Sequence, residues 1–204
     1  MLRELFYLAW GYLSGSVLFA VIFSQLFHKD VTADAKDKNP GSANAFVYGG
    51  FWCGMLTLAG DILKGFVPIA CYFYTLPNGL PTPMTPFILC APVIGHVFPV
   101  TRHFRGGKGI ATTFGCLLGL APTCWTPVLV LAVIFIFYSI ILRITPNLAR
   151  TIVTYVTLPP GLLLMHMPAW ICFGTLCMSC IVILRLHLSK EEREKPAVHL
   201  LWWT

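Results

Sequence analysis

Residues 5–27 read LFYLAWGYLSGSVLFAVIFSQLF and contain no charged side chain. A helix needs about 20 apolar residues to cross the roughly 30 Å hydrocarbon core of a bilayer. No basic segment followed by a small-residue cleavage site accompanies this block, so we expect a retained transmembrane helix rather than a signal peptide. The stretch therefore predicts a protein that crosses the membrane.

The composition of the whole chain agrees with this class. Of the 204 residues, 57% are apolar and only 11% are charged, and the mean hydropathy is +0.76. A soluble domain carries about a quarter charged residues. The chain has too little polar surface to cover a soluble globule, so a water-soluble domain is excluded.

Similar apolar segments recur as far as residue 187. We predict an all-α integral membrane protein forming one polytopic domain over residues 1–204. It should have about seven transmembrane helices: 5–27, 51–76, 87–101, 110–122, 125–142, 151–166 and 169–187.

The basic residues predict the orientation. If the N-terminus lies outside, 12 of the 14 Lys and Arg residues fall in the inside loops, in the tail or, for Arg185, at the inside end of the last span. Basic residues concentrate on the cytosolic side of membrane proteins. We therefore expect an outside N-terminus and a cytosolic C-terminus. The inside residues are Lys29, Lys36, Lys38, Arg102, Arg105, Lys108, Arg143, Arg150, Arg185, Lys190, Arg193 and Lys195.

One predicted cytosolic loop has the composition of an anion site. It combines Arg102, Arg105 and Lys108 with Gly106, Gly107 and Gly109, directly before a helix predicted to start near Ile110. Glycines can expose backbone N–H groups to an anion, and a helix N-terminus favours negative charge. The alternative is a basic loop that only anchors the topology against anionic lipid.

Three further groups of residues each have two possible roles. His96 is either a packing residue or part of the site. The turn Asn39-Pro-Gly41-Ser-Ala-Asn44 is either a helix cap or a binding loop, flanked by Lys36 and Lys38. Asp61 and Lys64 share one helix face at i, i+3, as a structural ion pair or as a pair facing a substrate.

Five segments carry a resemblance to a known family. GHVFPV (95–100) and FRGGKGIAT (104–112) closely resemble the signature of bacterial acyl-phosphate-dependent glycerol-3-phosphate acyltransferases, the PlsY family. GDILKG (60–65), YLSGS (12–16) and NPGSAN (39–44) resemble the family's other motifs. The segments follow one another in the family's order and spacing.

The resemblance implies an enzyme of phospholipid synthesis in the cell membrane, with its active site facing the cytoplasm. Such an enzyme moves a fatty acyl group from acyl phosphate to the 1-hydroxyl of sn-glycerol 3-phosphate and releases lysophosphatidic acid. The implied partners are these two substrates and the lipid bilayer, with no cofactor, metal or nucleic acid. The implied catalytic residues are Ser16, His96 and His187. The substrate-binding residues are Lys36, Lys38, Asn39, Gly41, Asn44, Lys64, Arg105, Gly106, Gly107, Lys108 and Gly109.

The chain departs from the family's pattern in the loop before the second helix. Lys36, Asp37 and Lys38 stand where the family usually has Gly-Ser-Gly, and Val47 stands where it has an arginine. A missing arginine removes a bidentate phosphate donor, for which Lys36 or Lys38 is the candidate replacement. These departures favour a divergent member. The alternatives are a paralogue with another polyol-phosphate acceptor, and a small transporter or anion-binding membrane protein without catalysis.

Overall fold

The computed structural model describes residues 1–35, 37–76, 80–189 and 194–200. Within these ranges the chain is mostly helical, as predicted. Its helices are α1 (Leu2–Gly15), α2 (Phe19–Leu26), α3 (Val31–Asp34), α4 (Ser42–Gly49), α5 (Phe51–Tyr74), α6 (Thr85–Val97), α7 (Ile110–Leu118), α8 (Thr126–Ile136), α9 (Asn147–Leu164) and α10 (Ala169–His187).

Three segments are long and apolar enough to cross a bilayer: Leu2–Leu26, Phe51–Tyr74 and Ala169–His187. Helices α6 and α7 have 13 and 9 residues. At 1.5 Å per residue they are about 20 Å and 14 Å long, shorter than the hydrocarbon core. The predicted total of seven spans and the predicted orientation stay predictions.

The first predicted span is not one continuous helix. Helix α1 ends at Gly15, the backbone is extended at Leu18, where φ is −96° and ψ is 93°, and α2 begins at Phe19. The break leaves the Val17 carbonyl to accept a hydrogen bond from Lys64 Nζ at 2.6 Å. A distant charged group thus takes the place of the missing helical bond.

The prediction of an all-α chain is wrong at a short antiparallel ribbon. Strand β1 (Leu142–Thr145) pairs with β2 (Ala197–Leu200), from Leu142 opposite Leu200 to Thr145 opposite Ala197. Proline disfavours a helical conformation in the residue before it, and β-branched side chains suit strands. Pro146 and the sequence Ile144-Thr145 therefore favour an extended segment between α8 and α9.

Glycines bring the helices that carry the motifs into backbone contact. A Cβ at Gly15 of α1 would overlap the Pro92 carbonyl of α6, and one at Gly95 would overlap the Tyr12 carbonyl of α1. A Cβ at Gly115 of α7 would overlap the Ile62 carbonyl of α5. Small residues at such crossings let membrane helices pack closely. Helices α1, α5, α6 and α7 thereby form one tightly packed unit.

This packing gives a stability prediction. Gly115→Ala should lower the apparent Tm of the detergent-solubilised protein by several degrees, because overpacking costs about 1–3 kcal/mol. Gly161→Ala in α9 is the matched control, since its new Cβ would meet Ile134 Cδ1 at an ordinary 3.5 Å. Thermal unfolding followed with a thiol-reactive dye measures both. Equal Tm values for the two variants would contradict the close α5–α7 contact.

Candidate active site

A buried charged cluster lies where α5, α6 and the break after α1 meet. Lys64 Nζ is 2.7 Å from Asp61 Oδ1, 2.7 Å from His96 Nδ1 and 2.6 Å from the Val17 carbonyl oxygen. An ammonium group has three N–H donors, and these three contacts use them all. The predicted i, i+3 pairing of Asp61 with Lys64 is confirmed. The contacts favour the structural reading of Lys64 over substrate binding.

His96 connects this cluster to the glycine loop. Because the Lys64 ammonium can only donate, His96 Nδ1 accepts, and the proton of the neutral ring is assigned to Nε2. Nε2 faces Gly107, where an added Cβ would overlap it. The ring is 3% exposed, so it lies behind the loop and not at an open surface.

The loop glycines have a different role from the one the sequence predicts. The Gly106 N–H donates to the Val97 carbonyl and the Gly107 N–H donates to the His96 carbonyl, both at 3.1 Å. These two amides are therefore occupied by the protein's own backbone and do not wrap an anion. Gly106 and Gly107 are needed for close approach, since a Cβ at either position would overlap His96.

Arg185 is a residue of this region that sequence reasoning missed. From α10, its Nη2 and Nε donate to the Gly106 carbonyl at 2.7 and 3.2 Å. In the sequence it is one of many basic residues at the end of an apolar segment, so it indicates topology only. The structure shows it holding the glycine loop in place.

The N-terminus of α7 offers the loop's available donors. Gly109 has φ +85°, a left-handed conformation that suits glycine, and α7 begins at the next residue. The first N–H groups of a helix have no intrahelical acceptors, and the helix dipole favours an anion there. Lys108 lies directly before this end.

A carboxylate of the chain already contacts the Lys108 ammonium. Asp37 Oδ2 is 3.2 Å from Lys108 Nζ, and Asp37 Oδ1 accepts from Asn44 Nδ2 at 2.8 Å and from the Asn39 N–H at 3.1 Å. Burial raises the pKa of the Asp37 carboxyl, but these hydrogen bonds and the charge of Lys108 outweigh it and hold the pKa below its ordinary value. The site thus binds an oxyanion supplied by its own chain.

The polar turn before α4 is the frame of this oxyanion contact. Asn44 Nδ2 also donates to the Asn39 carbonyl at 2.8 Å, and Gly41 is the N-cap of α4. A Cβ at Gly41 would come within 2.9 Å of Asn39 Nδ2. The turn starts a helix, although no side chain caps it, and its donors hold the Asp37 carboxylate. Its predicted role as a substrate-binding loop stays a prediction.

The other predicted site residues differ in exposure. Ser16 is 1% exposed; its hydroxyl donates to the Tyr12 carbonyl and its own carbonyl accepts from Thr101. Arg105, Lys38 and His187 are exposed, and His187 ends α10. Lys36 lies outside the described residues.

The position at which the family has an arginine is exposed. Val47, on α4, is 73% exposed. Among the described residues, no three His, Cys, Asp or Glu side chains gather as a metal site.

The fold and the site together define an integral membrane protein whose basic glycine loop holds a carboxylate of its own chain. Comparison with known proteins identifies the family. The family model "Glycerol-3-phosphate acyltransferase" matches residues 5–193. A glycerol-3-phosphate acyltransferase of Neisseria meningitidis serogroup A is 35% identical over 191 residues, which cover 91% of this chain and 93% of the relative. One from Pseudomonas aeruginosa is 37% identical over 160 residues, 76% of this chain and 81% of the relative.

Solved structures agree with the sequence matches. The crystal structure of PlsY (YgiH), an integral membrane glycerol 3-phosphate acyltransferase, in its glycerol 3-phosphate form superposes with a TM-score of 0.77 at 26% identity. The match covers 91% of this chain and 88% of that one. The lysophosphatidic acid form gives a TM-score of 0.72. This chain belongs to the glycerol-3-phosphate acyltransferase family, and the resemblance inferred from its motifs is confirmed.

Proposed function

We propose that this protein transfers a fatty acyl group from acyl phosphate to the 1-hydroxyl of sn-glycerol 3-phosphate, giving lysophosphatidic acid and inorganic phosphate. The site faces the cytoplasm, where the water-soluble acceptor is available, and the acyl chain lies among the helices. Family membership supports the acyltransferase class and the acceptor. The motifs that resemble those of acyl-phosphate-dependent enzymes support the donor.

One observation carries the proposal: a carboxylate of the chain itself is held by Lys108, Asn44 and the Asn39 N–H. A phosphate monoester presents similar oxygens with more negative charge, so the same donors fit it. The N-terminus of α7 adds its N–H groups to the same region. Lys108 and Gly109 are therefore proposed to bind substrate phosphate, with Arg105 at the exposed rim. Gly106 and Gly107 hold the loop in position.

The reaction needs little covalent help from the protein. The acceptor hydroxyl oxygen attacks the acyl carbonyl carbon, an ester bond forms, and the bond from that carbon to the phosphate oxygen breaks. Phosphate leaves with the bonding electrons, and a base takes the hydroxyl proton. Orientation of the two substrates and stabilisation of the developing charge then supply most of the rate enhancement.

We propose roles in this reaction for three residues. The Ser16 hydroxyl donates a hydrogen bond to the Tyr12 carbonyl, which leaves the lone pairs of the hydroxyl oxygen to accept from a substrate hydroxyl. His96 acts through the loop, because its ring contacts Lys64 and Gly107. His187, exposed at the end of α10, remains a candidate for the proton acceptor.

An acyl-transfer assay on the purified protein tests the proposal. Acyl phosphate and acyl-CoA are compared as donors, with sn-glycerol 3-phosphate, glycerol and a second polyol phosphate as acceptors. We expect lysophosphatidic acid only from acyl phosphate with glycerol 3-phosphate. Transfer from acyl-CoA but not from acyl phosphate would reject acyl phosphate as the donor. Preference for the other polyol phosphate would reject sn-glycerol 3-phosphate as the acceptor. If the protein, reconstituted in vesicles, transports glycerol 3-phosphate but transfers no acyl group, the proposal that it is an enzyme is rejected.

The close contact between Gly107 and His96 gives a prediction for activity. Gly107→Ala should lower kcat/KM for acyl transfer by about 100-fold, because the new Cβ forces the loop off the His96 ring and shifts Lys108. Gly161→Ala, which has space for its methyl group, is the control and should retain activity. Wild-type kcat/KM in Gly107→Ala would show that the loop geometry does not matter for the reaction.

A further inference from the structure

We propose that Asp37 is an internal competitor for the phosphate of the substrate, and that it sets the affinity of this protein for phosphate monoesters. The carboxylate occupies the anion position when the site is empty, and an incoming phosphate displaces it from Lys108. This inference rests on the proposed function, of which it specifies the binding step.

The donors around Asp37 support this role. Its two oxygens receive an ammonium, a side-chain amide and a backbone N–H from three residues: Lys108, Asn44 and Asn39. An ammonium and neutral N–H groups converging on oxygens are the donors that also bind phosphate. A carboxylate on the loop therefore takes contacts that a substrate phosphate would use.

Position and burial indicate a contact that a ligand can replace. The side chains of Lys108 and Asp37 are 18% and 12% exposed, so the pair lies at the edge of the interior and not deep within it. By contrast, the Lys64 and Asp61 side chains are each 2% exposed. The buried pair is structural, whereas the Lys108–Asp37 pair is within reach of a water-soluble substrate.

Proton uptake does not release Asp37 at neutral pH. The hydrogen bonds and the Lys108 charge hold the pKa of the carboxyl below its ordinary value, so it is ionised throughout the working range. Displacement by a stronger anion is the remaining route. A phosphate dianion has twice the charge of the Asp37 carboxylate and three oxygens, so it can displace Asp37 from Lys108. A ligand with a single carboxylate has no such advantage.

The test removes the charge and keeps the shape. Asp37→Asn retains an oxygen that can accept from the Asn39 N–H and from Asn44. We expect KM for sn-glycerol 3-phosphate and Kd for inorganic phosphate each to fall about fivefold, as for the loss of one partly exposed ion pair. Asp37→Ser, which also lacks the charge, should change both constants in the same direction and covers the case in which Asp37→Asn folds poorly.

Asp30→Asn is the matched control. It makes the same chemical change in the same region, and Asp30 caps α3 by accepting from the Ala33 N–H, which asparagine does equally well. Both constants should stay at their wild-type values. Any fall in the control would show that net charge, and not the Lys108 contact, sets the affinity.

The two readouts separate this inference from the proposed function. Absence of acyl transfer in the wild-type protein would reject the proposed reaction, while the phosphate Kd would still decide the role of Asp37. Unchanged or higher KM and Kd in both Asp37 variants would overturn the inference. Asp37 would then be a positioning residue that holds Lys108 ready for the substrate.

Discussion

Lys108→Ala is expected to lower kcat/KM for acyl transfer to sn-glycerol 3-phosphate by about 10²–10³-fold, a loss typical of removing one charge-stabilising group. Lys108 is the cation directly before the α7 N-terminus, and it already attracts a carboxylate at 3.2 Å. Alanine leaves the helix dipole and the N–H groups in place but removes the full positive charge. A phosphate dianion and the charge that develops on the leaving phosphate both lose their main counter-charge.

The measurement is initial-rate kinetics in detergent or in reconstituted bilayers at fixed salt. Lys195→Ala removes the same charge from an exposed position beside β2 and is the control. Salt screens the change in net charge alike in both variants. Only a loss of kcat/KM confined to Lys108→Ala therefore supports the anion site. Full activity in Lys108→Ala would refute the assignment of the anion site.

Lys64→Met is expected to cause the largest loss of stability, about 3–5 kcal/mol, because it leaves the buried Asp61 carboxylate without its partner. His96 Nδ1 and the Val17 carbonyl also lose their donor. A loss of this size corresponds to a fall in apparent Tm of roughly 10 °C in a chain of this length. Dye-based thermal unfolding in detergent, with Lys195→Met as control, measures it.

A second substitution separates the charge from the packing. Removing both charges of a buried pair is often close to neutral, whereas removing one is strongly destabilising. Asp61→Asn combined with Lys64→Met should therefore recover at least half of the lost Tm. If the double variant is as unstable as the sum of the single variants, the two side chains are not coupled.

The sequence predicts well the features that depend on local composition. The long apolar helices α5 and α10 follow from uncharged or nearly uncharged runs of spanning length. The Asp61–Lys64 pair follows from helix periodicity, since i and i+3 share a face. The anion site predicted from the glycine-rich motif and the basic residues around it stays a prediction.

Features set by long-range contacts are not predictable in this way. The break at Leu18 leaves a carbonyl that Lys64 binds from another helix, and the roles of Gly106 and Gly107 depend on their contacts with Val97 and His96. Glycine serves both anion binding and close packing, so composition cannot distinguish the two. The Lys108–Asp37 pair joins two loops whose approach is visible only in the folded chain.

The most direct test of the central claim is equilibrium binding of sn-glycerol 3-phosphate to the purified protein without an acyl donor. The proposed site predicts saturable binding that inorganic phosphate displaces, that glycerol does not, and that Lys108→Ala weakens at least about tenfold. Equal affinity in the wild-type protein and Lys108→Ala would contradict the account.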